Sequence, residues 1–271
     1  MARKNEIENL QVLTVDAIRD YHVCELFYKY RYKDQLIEPI DYHRLMVDKF
    51  HSTLSKVASY FFYKRQSGTN VSYRSLVNRW EKLWFPKEMD AYDMAVEQHS
   101  INHGNLASYS NVAIAAIEAF YNDFSEDPGM PMSIREPFLT PIRSDIHLEG
   151  EIDLVLRYPN KRVKVIKWSN NNRNANFNFM GMEFSALKFA INHRMGMDTN
   201  ATYHLYDLGS ANRGFIELPQ PSEDDMRALL FWASQISSAE RYVPRRGFTA
   251  YCRGCPFDKE CKEFSQWPVE I

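Results

Sequence analysis

The spacing of hydrophobic positions changes character once along the chain, near residue 130. Before that point the apolar residues recur at helical intervals. Leu45, Met46, Phe50, Leu54, Val57, Phe61 and Phe62 mark one face of a helix predicted over Tyr42 to Lys64. Asp16 to Lys29, Tyr73 to Leu83 and Ser108 to Phe124 have the same character, with Asp16 near a helix start. The segment Asp127-Pro128-Gly129-Met130-Pro131 then breaks the helical run.

Beyond the break the period drops to two. Strands are predicted over Ile134 to Leu139 and over His147 to Arg157, where Leu148, Ile152, Leu154 and Leu156 share one parity. A turn at Tyr158-Pro159-Asn160-Lys161 leads into Arg162 to Trp168, with Val163, Val165 and Lys167 on one side. Asn170-Asn171-Asn172-Arg173-Asn174 is a polar loop, and Phe177 to Arg194 is helical again. Thr202 to Leu208 and Gly214 to Leu218 are strands around a Gly209 to Arg213 turn. A last helix runs from Ser222 to about Arg241, with Ser222 a natural N-cap ahead of Glu223, Asp224 and Asp225. The pattern is an α/β or α+β domain with a helical N-terminal part.

Composition narrows the picture without deciding it. The 271 residues are 45% apolar and 25% charged, as in a globular domain, so a disordered or coiled-coil chain is excluded. Lys+Arg number 33 against 35 Asp+Glu, which excludes a uniformly basic tail and leaves room for a local basic groove. No apolar run approaches the roughly 18 residues of a bilayer span. The N-terminal residues show no apolar h-region, so the expected location is the cytoplasm, with no membrane partner.

In a reducing compartment clustered cysteines point to a metal or redox site more than to disulfides. Cys252-Arg253-Gly254-Cys255 is a C-x2-C, and Cys261 follows after five residues. Thiolates select zinc or iron–sulfur centres. Three local sulfurs leave one position open, and Cys24 is the one cysteine left to fill it. Spacing leaves three readings standing: an iron–sulfur cluster, a zinc site, or small buried hydrophobes around a silent CxxC.

The lone cysteine within Tyr21-His22-Val23-Cys24-Glu25-Leu26-Phe27-Tyr28-Lys29, paired with the terminal C-x2-C-x5-C, resembles the iron–sulfur members of the PD-(D/E)XK nuclease superfamily. These include RecB-type and AddB-like nucleases and the CRISPR adaptation nucleases. The resemblance implies that Cys24, Cys252, Cys255 and Cys261 ligate a 4Fe–4S cluster bracing the fold. It places His51 at the family's metal-binding histidine. Gly150-Glu151-Ile152-Asp153 resembles its G-x-I/V-D strand, whose Asp is a metal ligand. Arg162 to Ser169 resembles the following strand, Met180 to Phe184 the Q-x-x-x-Y helix, and Tyr203 to Tyr206 a later core strand. The implied fold is α/β: a restriction-endonuclease-like core of mixed central sheet flanked by helices. It forms a single domain, with a mainly helical part over 1–130, a nuclease-like core over 131–245 and a cysteine segment over 246–271.

The chemistry departs from that pattern. Cleavage of a phosphodiester in this family needs carboxylates holding Mg²⁺ or Mn²⁺ and a lysine near the attacking water. Where the family reads approximately D-Y-K, this chain reads Lys167-Trp168-Ser169. An ammonium there repels a divalent cation and can pair with Asp153 itself. Met180 and Phe184 replace the Gln and Tyr of the helix. Glu136, Glu149 or Glu151 are alternative carboxylates, and Lys167 is an alternative catalytic lysine.

The candidate catalytic set is therefore Asp153, His51 and Lys167, with His51 and Asp153 as divalent-ion ligands if the site is active. His51 has a second reading as an ordinary helix histidine, and Asp153 has one as an ordinary strand-end acid. Lys29 and Arg31, interleaved with tyrosines, and Arg245 and Arg246, before the cysteines, are candidate nucleic-acid contacts. A solvated helix face explains the first pair as well.

The resulting expectation is a DNA-acting protein of replication, recombination or repair with a degraded catalytic centre, binding or scaffolding beside a helicase or recombination partner. An active divergent exonuclease and a protein-interaction module on the same fold are the alternatives.

Overall fold

The structure is a computed structural model describing residues 10–38, 42–85, 106–169, 177–195, 201–209, 215–244, 252 and 255–261. Its elements in chain order are β1 (Gln11–Thr14), α1 (Val15–Val23), α2 (Glu25–Tyr28), a π-helical turn (Lys29–Lys33), α3 (Tyr42–Gln66), α4 (Tyr73–Trp84) and α5 (Leu106–Phe124). Then follow β2 (Met130–Arg143), β3 (Ile146–Arg157), β4 (Val163–Ser169), α6 (Phe177–Met195), β5 (Ala201–Asp207), β6 (Phe215–Leu218) and α7 (Glu223–Ser238).

The sheet is built around β3. On one side β2 runs antiparallel to it from Met130↔Arg157 to Arg143↔Ile146. The other side is shared: β1 pairs parallel with Ile146 to Glu149, and β4 pairs antiparallel with Leu154 to Arg157. Residues Gly150 to Asp153 lie between these two ladders and open the sheet there. Outward from β4 come β5, parallel to it, and β6, antiparallel to β5. Pro131, Pro137 and Pro141 lie on β2, an edge strand, where a missing N–H disrupts no inner ladder and discourages pairing with another chain.

Alternation along β4 separates two cores. Val163 and Val165 pack with Val155, Phe184, Leu187, Ala190, Ile191, Tyr203 and Leu205, under α6. Ile166 and Trp168 pack with Leu154, Leu156, Tyr206 and the apolar faces of α3, α4 and α5. A third cluster joins Leu13, Ile18, Tyr21, Ile146 and Leu148 to Leu229, Ala233 and Ile236 of α7. The parity read along β3 is accordingly split: Leu148, Ile152 and Leu154 serve three different clusters, because one long twisted strand crosses all of them.

Two elements differ from the sequence expectation. The four residues of β1 are too few to show a period, and their strand identity comes from tertiary pairing with β3. The helix expected over Asp16 to Lys29 is broken at Cys24, which takes an extended conformation (φ −162°, ψ 118°). Its N–H still caps α1 by donating to the Asp20 carbonyl. Ser222 caps α7 as expected, its hydroxyl accepting from the Asp225 N–H while the Asp225 carboxylate accepts from the Ser222 N–H.

Candidate functional site

Continuing the β3–β4 register from Leu154↔Ile166 sets Asp153 opposite Lys167 on the α6 side of the sheet. Asp153 is 9% exposed. Its Oδ2 accepts the Trp168 N–H at 3.0 Å and lies 3.4 Å from Lys167 Nζ. The same ammonium is 3.1 Å from Glu183 Oε1, contributed by α6. The pairing of Lys167 with Asp153 is thus formed in the structure.

Burial opposes charge on both partners of this pair. It pushes the Asp153 carboxyl above the ordinary carboxylate range, although Lys167 and the Trp168 N–H pull it back in part. For Lys167 burial works downward, but the charges of Asp153 and Glu183 outweigh it and raise the ammonium above its usual value. Glu183 was not singled out in the sequence. Its signal was a single acid inside the apolar run Met180 to Leu187, facing the strand that carries Lys167.

The rim of this site is also paired. Arg135, at φ 46°, donates from Nε to Glu151 Oε1 at 2.9 Å and from Nη2 to Oε2 at 3.3 Å. Glu136 accepts the Ser133 hydroxyl at 2.7 Å and pairs with Arg194 of α6. Burial works against the Glu136 charge, but Arg194 and Ser133 outweigh it and hold the carboxyl below its ordinary value. Glu149 is exposed, beside Thr14 of β1. Of the carboxylates read as substitutes in the sequence, two are therefore held by arginines and one lies at the β1 ladder.

His51 is buried at 8% exposure on α3, edge-on to Phe50, and its Nδ1 has no hydrogen-bond partner among the described residues. It packs on the end of β5: a Cβ at Gly209 would stand 2.7 Å from its Cε1, so only glycine admits the ring. Burial lowers its pKa, with Asp207 and Asp48 acting weakly in the other direction. Among the described residues no hydrogen bond or ion pair links His51 to Asp153 or Lys167. The structure brings Asp153 and Lys167 together and sets His51 against β5.

The four cysteines, half-buried and with no disulfide among them, come from the two ends of the described chain. Burial pushes the Cys255 thiol up, and Cys24, Cys261 and Cys252 all add to that shift, so the four share one neighbourhood. The segment is fastened by Phe257, which contacts Phe27 and Tyr30 edge-on at 5.4 and 5.7 Å. Tyr30 donates to the Glu260 carbonyl at 3.1 Å, and the Val243 N–H donates to Glu25 Oε2 at 2.9 Å. In kind and number these donors fit a 4Fe–4S cluster or a zinc ion. As the side chains lie, no group of three or more His, Cys, Asp or Glu among the described residues is arranged to hold a metal ion.

The cations read as nucleic-acid contacts are engaged internally. Lys29 donates to Asp34 at 2.5 Å; Arg31 donates to Asp20 at 2.9 Å and pairs with Glu38 at 2.7 Å. The tyrosines on either side of them are packing residues: Tyr28 stacks on Tyr32 at 5.1 Å and on Tyr242 at 6.0 Å. Arg245 and Arg246 lie outside the described residues. Among those described, no helix is long and apolar enough to cross a membrane.

With this geometry in view, comparison with known proteins is consistent. The family profile of the PD-(D/E)XK nuclease superfamily matches residues 12–262, and the chain belongs to that superfamily. No curated protein matches the sequence. Two solved structures show a distant likeness. SSO0001 has 13% identity and a TM-score of 0.41, over 94% of this chain and 87% of that one. A candidate exonuclease from Eubacterium rectale has 11% identity and a TM-score of 0.42, over 93% of this chain and 91% of that one. The family assignment rests on the sequence match.

Proposed function

We propose that this chain is a DNA-binding member of the superfamily whose metal pocket holds its own lysine instead of a catalytic ion. The observation that carries the reading is the Lys167 ammonium, 3.4 Å from Asp153 and 3.1 Å from Glu183. A fixed cation between two carboxylates offsets part of the charge that would attract a divalent ion and fills the space it would take. The role that follows is binding or scaffolding in replication, recombination or repair, beside a helicase or recombination partner that supplies the chemistry. Cys24, Cys252, Cys255 and Cys261 hold a 4Fe–4S cluster in this reading, a brace between the two ends of the fold; zinc is the alternative occupant.

The test uses full-length protein purified anaerobically. Iron and sulfide should be present, and linear duplex and single-stranded DNA should be bound and left uncut in Mg²⁺ and in Mn²⁺. Degradation of DNA ends that Asp153→Ala abolishes would overturn the non-catalytic reading. Protein holding zinc without iron would overturn the cluster.

One observation favours a second reading. Glu183 brings a carboxylate from a helix to the ammonium that Asp153 also meets, so a rearranged hydrolase would have two acids and a lysine in one place. The same cleavage assay decides between the two.

A further inference from the structure

Cations are unevenly spread over this chain. Between Lys49 and Trp84 seven lysines and arginines face a single acid, Glu81, although acids outnumber basic residues over the whole sequence. Arg65 acts inside the fold, donating to the Phe124 and Asp127 carbonyls. Most of the others form a stripe. Lys49, Lys56 and Lys64 recur on α3 at intervals of seven and eight residues, which keeps them on one helical face. Arg79 and Lys82, three apart, share a face of α4.

The two helices present these charges along one seam. The Lys64 ammonium lies 5.8 Å and the Arg79 guanidinium 5.5 Å from the centre of the same ring, Tyr60. Lys49 lies 5.3 Å over Trp84. An aromatic face steadies a cation without neutralising it. Lys56, Lys64, Arg79 and Lys82 are exposed, and none takes part in an ion pair among the described residues. Lys29 and Arg31, by contrast, are each held by an acid.

We infer that the α3–α4 seam is a surface for the phosphate backbone of DNA. The inference rests on the DNA reading above and adds where the polymer lies. At about 1.5 Å per residue, Lys56 and Lys64 are roughly 12 Å apart along α3. That is the length of about three to four base pairs, at roughly 3.4 Å per phosphate of each strand. A straight row of like charges matches a straight polyanion. Tyr60 is engaged by two cations and Trp84 lies in the core, so what the seam offers a ligand is chiefly its ammonium and guanidinium groups, which meet phosphates. The surface therefore holds DNA without reading its sequence.

The experiment follows full-length protein binding a fluorescent 20-base-pair duplex by anisotropy between 50 and 200 mM salt. Four phosphate contacts, from Lys56, Lys64, Arg79 and Lys82, correspond to a log–log salt slope of about −3.6, roughly a 150-fold weakening over that range. The triple variant Lys56→Gln/Lys64→Gln/Lys82→Gln should make the slope shallower by about 2.7. The control triple Arg157→Gln/Arg227→Gln/Lys259→Gln, exposed cations elsewhere, should leave it unchanged, with matching thermal midpoints showing that all three proteins fold. Tight binding by wild type with the same slope in the seam variant would overturn the seam and leave the DNA reading standing. No binding by wild type would overturn both. Poly-glutamate bound as tightly as the duplex, and lost in the same variant, would assign the seam to an acidic protein and overturn the proposal.

Discussion

Glu183 stands 3.1 Å from Lys167, so the cation that neutralises Asp153 also ties α6 to the sheet. Removing that cation leaves a buried carboxylate alone. Lys167→Met is expected to destabilise the fold by about 3 kcal/mol, chiefly through the stranded Asp153. Glu183, more exposed, adds little. Asp153→Asn combined with Lys167→Met should recover most of the loss. Urea midpoints of the two variants measure the difference, and equal destabilisation by single and double variants would show that the pair is not the cause.

Reversing the charge at the same position should change what the pocket takes. Lys167→Glu sets a third carboxylate beside Asp153 and Glu183, a set of hard oxygen donors that suits Mn²⁺ or Mg²⁺. Thermal melts with rising Mn²⁺ should show an increasing midpoint for this variant and a flat response for wild type. An identical shift in both proteins would mean that ammonium does not exclude the ion.

Acid should weaken the protein through two buried histidines. Burial lowers the pKa of both His51 and His204 below the ordinary 6.5, with Lys164 adding to the effect at His204. In the unfolded chain each ring gains its proton near 6.5, while in the fold it stays neutral to lower pH. Between those values the unfolded state binds more protons, so stability is complete above about 6.5 and falls as the pH drops below it. His51→Gln should flatten the decline measured by thermal midpoint from pH 7 to pH 5. An unchanged slope would show that His51 is not a source of it.

The capping box of α7 gives a separate handle. Ser222→Ala removes the hydroxyl that accepts the Asp225 N–H, at a cost of about 1 kcal/mol. Ser222→Asn should restore most of that stability, because its amide oxygen can accept the same bond and its NH2 can replace the hydroxyl's donation to the Asp225 carboxylate. Chemical denaturation of both variants checks the pair.

Much of this fold was legible because its elements are long and periodic. Helix α3 appears in the spacing of Met46, Phe50, Leu54, Val57 and Phe61, and β4 in the alternation of Val163, Val165 and Lys167. The site was half legible. Lys167 opposite Asp153 follows from a hairpin read off the strands, since the cross-strand register is local. Glu183 did not, because its part depends on how α6 docks over the sheet. The tyrosine–cation run from Tyr28 to Lys33 looks like a polymer-binding surface until the break at Cys24 and the π-helical turn bring Asp20, Asp34 and Glu38, five to eleven residues away, onto its cations. The α3–α4 seam was missed for the opposite reason: its charges come from two helices, and neither alone is dense enough to stand out.

The fastening of Phe27 and Tyr30 by Phe257 and Glu260 bears on biosynthesis as well as architecture. The ribosome releases Cys24 more than two hundred residues before Cys255. Until those late residues emerge, the aromatic side of α2 and the turn after it have nothing to close against. Helices α1 and α2 therefore wait, partly uncovered, for residues 252–261 to be made, and nascent chains cut short before residue 252 should expose them to proteases or chaperones.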